Sequence, residues 1–217
     1  MIQSFRIDGI YDKRTLKLLK EKGVRDFCFD FSPKSFSFVQ EHVFLSDLLP
    51  LVDEKDQIFF YFARSDDPMI KKLYSDIGIL SKKAILECAE WPIDPLELGH
   101  KYLLNYSESF DTKLIDSNDF QGIIIEYEVL EKQYKSGKLR TFLLDIHHKI
   151  PEHIKGTKKI ILKANFGENI QSSLIDSIGF ELLSFSINSK IEICYRNVDL
   201  KKLSIEIDLQ QNLLNSF

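Results

Sequence analysis

The sequence has few of the features that mark secreted, metal-binding or membrane proteins. Its 217 residues include only three cysteines, Cys28, Cys88 and Cys194. This odd number in no metal-ligand spacing is typical of reduced thiols in a cytoplasmic protein. No apolar run reaches the ~18 residues that span a bilayer, and the N-terminus lacks the pattern of a signal peptide. We therefore expect a cytoplasmic protein that has no membrane partner.

An excess of positive charge is also absent. The chain carries 29 basic and 33 acidic residues, for a formal net charge of -4. This balance lacks the electrostatic footprint of a nucleic-acid-binding protein, so no nucleic-acid partner is expected. No residue pattern indicates a metal ion or another cofactor. Apolar residues are abundant instead, at 44% of the chain, which is enough for one packed core.

Eight short apolar segments alternate with polar or amphipathic stretches along the chain. Helical spacing of apolar residues is clearest in Lys13–Lys22, Leu139–Lys149 and Asn169–Ile178. Strands that alternate with crossovers favour a parallel sheet in an α/β protein, and eight of them favour a closed (β/α)8 TIM barrel, with an open doubly wound sheet as the alternative. We predict one such domain over residues 1–217. The predicted strands are Phe5–Asp8, Asp26–Phe31, Ile58–Ala63, Lys83–Glu87, Tyr102–Tyr106, Gly122–Tyr127, Lys159–Lys163 and Leu182–Ser186.

Two carboxylates stand at the ends of predicted strands. In a barrel the functional site lies at the C-terminal ends of the strands, where Asp8 ends the first and Glu126 ends the sixth. Two such groups across a barrel mouth can serve as a general base and a general acid. The alternative is structural: Asp8 pairs with Arg6 on the same strand face, with Asp30 in the same polar layer, and Lys163 neutralises Glu126. Both interpretations stay open at this point.

Several longer motifs resemble one known family. The segments "FRIDGI", "GVRDFCFDFSPKS", "AILECAEWPID", "GIIIE" and "IILKANFGENIQSSL" occur in this order. They resemble the first, second, fourth, sixth and seventh strands of phosphoribosylanthranilate isomerase, a (β/α)8 enzyme of tryptophan biosynthesis. The turn around Pro33, Lys34 and Ser35 is the most specific of these pieces.

The resemblance implies an Amadori rearrangement, in which an aminoaldose phosphate becomes an aminoketose without a cofactor. An acid protonates the ribose ring oxygen, and a base takes the proton from C2. Asp8 matches the position of the family's base, which is a cysteine, and Glu126 matches the position of its acid, an aspartate. The sister isomerase of histidine biosynthesis has an aspartate as base at the first position. The resemblance therefore implies an isomerase with Asp8 as base, Glu126 as acid and a small sugar phosphate as substrate.

The chain differs from the family in the motifs that bind phosphate. The family has a glycine pair after the seventh strand and a Ser-Ser-Gly loop after the eighth, where this chain has other residues. Because glycine permits close backbone approach to a ligand, we expect side chains to replace those contacts here. The predicted phosphate ligands are Lys34, Lys163, Asn165, Ser186 and Asn188.

A second departure concerns the anthranilate carboxylate. The arginine that meets this group in the family is replaced by Ser37. The alternative to an isomerase is therefore a diverged barrel that has lost the chemistry and binds another ligand or a protein partner.

Overall fold

The structure, a computed structural model, describes residues 4–106, 112–149, 159–168 and 180–215. Eight parallel strands pair in chain order and the eighth pairs with the first, so that the sheet closes into a barrel. This confirms the predicted (β/α)8 fold and excludes the open sheet. The strands are β1 Ser4–Asp8, β2 Asp26–Asp30, β3 Gln57–Arg64, β4 Ile85–Glu90, β5 Lys101–Asn105, β6 Phe120–Glu126, β7 Lys159–Asn165 and β8 Leu182–Ser186.

Helices occupy the connections between strands. The predicted helices Lys13–Lys22 and Leu139–Lys149 are confirmed, and the predicted helix Asn169–Ile178 lies outside the described residues. No helix in the described part of the chain is both long and apolar enough to cross a membrane. The α-helices are α1 Lys13–Glu21, α2 Glu41–Val43, α3 Met69–Asp76, α4 Pro95–Leu98, α5 Thr112–Ile115, α6 Tyr127–Lys135, α7 Leu139–Lys149 and α8 Leu200–Asn215.

The connections also contain short turns and one small hairpin. After β8 come a 3-10 turn at Ser189–Ile191 and a two-stranded hairpin, β9 Glu192–Cys194 and β10 Asn197–Val198. The π turn covers Phe44–Leu48, and a 3-10 turn at Leu49–Leu51 continues it. A further 3-10 turn, Gly78–Lys82, leads from α3 towards β4.

The start of α1 shows how the sequence sets a local boundary. The Asp12 carboxylate accepts hydrogen bonds from the backbone N–H groups of Arg14 and Thr15, and so caps the helix. Leu16 and Leu19 then face the core at helical spacing and are fully buried. The amphipathic pattern and the cap together fix where the first crossover packs against the barrel.

Alternation along the strands separates an inner apolar layer from the outer core. The inner layer consists of the cluster Cys28, Phe59, Ile85, Leu103, Ile124, Ile161 and Leu182. The intervening residues of the strands pack outward, in a second cluster that includes helix residues. Because strand side chains repeat with a period of two, the residue two positions beyond an inner apolar residue faces the interior again, nearer the C-terminal end. On most strands that next residue is polar, as with Asp30, Tyr61, Glu87, Glu126 and Lys163.

Gly122 is required by the close approach of β6 and β7. It pairs with Lys159, and an added Cβ would lie 2.0 Å from the Lys159 carbonyl oxygen.

We expect Gly122→Ala to lower the free energy of unfolding by at least the upper end of the ~1–3 kcal/mol typical of overpacked sites, as measured by urea denaturation. Gly23→Ala is the matched control. Both glycines have a positive φ, +148° at Gly122 and +81° at Gly23, but no atom lies within 4 Å of a Cβ added to Gly23. A loss of about 1 kcal/mol is therefore expected for Gly23→Ala. Equal losses in the two variants would contradict this explanation.

Candidate active site

A cavity of about 280 Å³ opens at the C-terminal ends of the strands. Its wall includes interior residues of β1 to β4 and β7, the loop after β2, and the end of β8. The polar residues that line it include Asp8, Asp30, Tyr61, Glu87, Lys163 and Ser186. The cavity therefore lies where a (β/α)8 barrel carries its functional site.

Arg6 holds two carboxylates next to the cavity. Its side chain is fully buried, and Nε lies 2.7 Å from Asp8 Oδ1. Nη2 donates to Asp8 Oδ2 at 2.9 Å and lies 3.1 Å from Glu87 Oε2. Burial lowers the pKa of Arg6, but the charges of Asp8 and Glu87 outweigh burial and leave its pKa above the ordinary value. Arg6 thus stays cationic and fixes the Asp8 carboxylate in one orientation.

Lys163 joins the other carboxylates of the mouth. Its Nζ lies 3.3 Å from Glu126 Oε1 and 3.9 Å from Glu87 Oε1. Burial lowers the pKa of Lys163, but Glu87, Asp8 and Glu126 raise it to a net value above the ordinary one. Glu87 therefore links the Arg6–Asp8 pair to the Lys163–Glu126 pair.

Glu126 has a higher pKa than an ordinary surface glutamate. Partial desolvation at the mouth raises its pKa, and the opposing effect of Lys163 does not cancel this rise. Its side chain is nonetheless half exposed, so a ligand in the mouth can reach it. A carboxyl group that keeps its proton to higher pH and stays accessible is suited to donate that proton.

Asp30 organises the loop after β2. It accepts hydrogen bonds from the Ser32 backbone N–H at 2.8 Å, from the Ser35 hydroxyl, and from Ser37 Oγ at 3.2 Å. Burial raises the pKa of Asp30, and these donors offset only part of that rise. Asp30 lines the same cavity as Asp8, but the second carboxylate in contact with Arg6 is Glu87.

The structure places Asp8 in the wall of the cavity and Glu126 at the end of β6, outside that wall. Glu126 is connected to the cavity by its ion pair with Lys163, which is part of the wall. The structural alternatives for these residues are also observed, because Asp8 contacts Arg6 and Glu126 contacts Lys163. The ion pairs of these two side chains are therefore observed, and their catalytic role stays a prediction.

Only two of the five predicted phosphate ligands line the cavity. Lys163 and Ser186 line the cavity, whereas Lys34 is exposed in the loop after β2 and is not part of the cavity wall. Asn165 follows Lys163 on the same strand face, and Asn188 caps the turn after β8 by accepting from the Lys190 backbone N–H at 2.9 Å.

The donor groups of Asn165 already have an acceptor within the chain. Its backbone N–H donates to Glu168 Oε2 at 2.9 Å, and its side-chain Nδ2 donates to Glu168 Oε1 at 2.8 Å. Both oxygens of one carboxylate are therefore bound at the end of β7.

Glu87 is a residue of the cavity wall that the sequence did not single out. The fourth strand was predicted to end at Glu87, but β4 runs on to Glu90. Cys88 packs in the outer core, while Glu87 faces the interior on the same side as Ile85. The alternation Ile85–Glu87 was the available signal, since residues two apart share a strand face.

Several solved structures with a similar fold are phosphoribosylanthranilate isomerases. The enzyme from Thermus thermophilus is 12% identical with a TM-score of 0.64, over 97% of this chain and 100% of that one. The enzyme from Thermotoga maritima is 15% identical with a TM-score of 0.61, over 95% and 97%. These likenesses establish the fold.

A third similar structure shows that the likeness is not confined to one activity. The D-psicose 3-epimerase from Clostridium cellulolyticum H10, solved with D-tagatose, is 10% identical with a TM-score of 0.52, over 98% of this chain and 99% of that one. No family model and no curated protein matches the sequence. The chain is thus a barrel similar to phosphoribosylanthranilate isomerases, and its chemistry has to be argued from its own site.

Proposed function

We propose that the protein is an intramolecular aldose–ketose isomerase that acts at the barrel mouth. The observation that carries this proposal is the pair of unlike carboxyl groups there. Asp8 is ion-paired with a fully buried arginine, and Glu126 has a raised pKa and is half exposed. Acid–base isomerisation requires one carboxyl group that donates a proton and another that accepts one, and unlike environments give two carboxyl groups these different roles.

In the proposed reaction Glu126 protonates the ring oxygen of an aminoaldose while the bond between that oxygen and C1 breaks. The nitrogen lone pair forms a C1=N double bond, which carries positive charge. Asp8 takes the proton from C2, the C–H electron pair becomes the C1=C2 bond, and the C1=N double bond opens to return its electron pair to nitrogen, which gives a neutral enaminol. Protonation at C1 and loss of the C2 hydroxyl proton then complete the aminoketose. The carboxylates of the mouth stabilise the transient positive charge.

The first substrate to test is the one that the resemblance implies. Phosphoribosylanthranilate is a sugar phosphate, and its turnover would place the protein in tryptophan biosynthesis. Rescue of a tryptophan auxotroph that lacks this isomerase tests that substrate. A direct assay of aldose-to-ketose conversion, with phosphorylated and unphosphorylated aldoses and glycosylamines, tests the reaction class. Absence of turnover across this panel would contradict the proposal.

A binding barrel without catalysis is the second candidate. The observation that favours it is that both Asp8 oxygens already contact Arg6, which is sufficient to explain an aspartate at this position. The two candidates differ in turnover and not in binding, so the isomerisation assay separates them.

The pH dependence gives a test of Glu126 as the acid. Lys163 lowers the pKa of Glu126, so Lys163→Met should raise that pKa further. Because a general acid works only while protonated, activity is lost as the pH rises through its pKa. The alkaline limb of kcat/KM should therefore move to higher pH in Lys163→Met.

The matched control is Lys72→Met. Lys72 pairs with Glu41 on the surface, outside the cavity, so its removal should leave the profile in place. An alkaline limb that does not move in Lys163→Met would remove Glu126 from the role of acid.

A further inference from the structure

Acidic side chains outnumber basic ones around the cavity. The acidic groups line the wall or contact a residue that does, and the basic groups lie among them. The acidic residues are Asp8, Asp30, Glu87 and Glu126, and the basic ones are Arg6 and Lys163. A concave site with this balance attracts cations and repels anions.

Both cations are already shared between carboxylates. Arg6 contacts Asp8 and Glu87, and Lys163 contacts Glu126 at 3.3 Å with Glu87 at 3.9 Å. A phosphate dianion would have to compete with two carboxylates for each cation, at distances where like charges repel strongly. Neither cation is therefore available as a dedicated phosphate ligand.

Two N–H donors at the ends of β7 and β8 are also engaged. Phosphate is commonly bound by a cluster of free backbone N–H groups. Here the Asn165 N–H donates to Glu168 at 2.9 Å, and the Ile187 N–H donates to the Asp8 carbonyl oxygen at 2.9 Å. Glu168 therefore occupies donors that an external anion would need.

Acceptor capacity, in contrast, remains inside the mouth. Asp8, Asp30 and Glu87 all contribute to the wall of the cavity. A carboxylate oxygen accepts more than one hydrogen bond. Hydroxyl and ammonium groups of a ligand are the complementary donors.

From these contacts we propose that the cavity takes a polyhydroxylated ligand without phosphate, either a neutral aldose or one with an amino group. Glu168 is the specificity-determining residue that keeps phosphate out of the end of β7. The claim that the ligand is an aldose rests on the proposed function. The exclusion of phosphate rests on the charges and hydrogen bonds of the mouth alone. This ligand class differs from the sugar phosphate that the sequence resemblance implies.

Binding of matched sugars to the full chain tests the proposal. The probes are D-ribose, D-glucose, D-glucosamine and D-ribose 5-phosphate, followed by titration calorimetry or ligand-observed NMR at millimolar concentration. We expect the unphosphorylated sugars to bind, D-glucosamine best, and D-ribose 5-phosphate to bind about tenfold more weakly than D-ribose. Tighter binding of the phosphate than of D-ribose, or no binding of any unphosphorylated probe, would overturn the proposal.

Glu168→Ala is the gain-of-binding variant. It frees two donors of Asn165 and removes one negative charge, so inorganic phosphate should bind several-fold more tightly than to the wild type. Glu181→Ala is the matched control, because Glu181 also accepts a backbone N–H, that of Ile160 at 2.6 Å, but before β8 at the opposite end of the barrel. Unchanged phosphate affinity in Glu168→Ala, or an equal gain in Glu181→Ala, would remove Glu168 from the proposed role.

These outcomes are independent of turnover. Binding of unphosphorylated sugars without isomerisation supports the ligand class and contradicts the isomerase. Turnover confined to sugar phosphates supports the isomerase and contradicts the ligand class.

Discussion

Arg6→Met is expected to lower the free energy of unfolding by about 3–5 kcal/mol, because it leaves buried carboxylates without their cation. Arg6 is itself fully buried and Glu87 is only 1% exposed, so the space that the guanidinium leaves is poorly hydrated. The measurement is urea denaturation at neutral pH, where the carboxylates of an unfolded chain are ionised. Arg6→Lys should fall between the wild type and Arg6→Met, since it keeps the charge but loses the bidentate contact.

The control for this experiment is Arg64→Met. Arg64 also contacts two carboxylates, those of Asp66 and Glu90, but all three side chains are exposed. Surface ion pairs contribute little to stability, so we expect only a small change. A loss in Arg6→Met no larger than that in Arg64→Met would show that the buried cluster does not stabilise the fold.

Asp8→Asn is expected to lower kcat by about 10²–10⁴-fold, the usual contribution of a general base. The amide keeps the size of the carboxylate and still offers an oxygen to Arg6, so the barrel should stay folded and ligand binding should persist. Steady-state kinetics on the isomerised aldose, together with a thermal melt, separates loss of chemistry from loss of fold.

Asp66→Asn is the matched control for Asp8→Asn. Asp66 follows β3, makes an ion pair with Arg64 and does not line the cavity. Its replacement should leave kcat unchanged. If Asp8→Asn retains the kcat of the wild type, then the Arg6–Asp8 pair is structural, and the binding barrel becomes the better description.

The strands were the part of the fold most open to prediction from sequence. The eighth strand was predicted at Leu182–Ser186 and has those bounds, and the first gained only Ser4. Apolar alternation and its interruption by polar residues are local properties, so they can be read without knowing the fold. Asp8 and Glu126 could be proposed as site residues on the same basis, because each ends such a strand.

The partners of those residues were decided by the closed barrel. Glu87 meets Arg6 and Lys163 across the interior, although these residues lie on β4, β1 and β7. The register of neighbouring strands, such as Glu126 beside Lys163, sets which side chains share one level of the barrel. The sequence alone leaves that level undetermined for residues on distant strands.

The hydrogen bonds from Asn165 to Glu168 show that the sequence also leaves contacts within one loop undetermined. Both residues are visible in the sequence, and Asn165 was predicted as a phosphate ligand. Its N–H groups instead point to a carboxylate three positions along the chain, because the turn after β7 brings that side chain back over the strand end. The sequence by itself determined the barrel and its two terminal carboxylates. The tertiary structure decided which charges face each other, since a carboxylate's chemistry depends on neighbours that are close in space and often far apart along the chain.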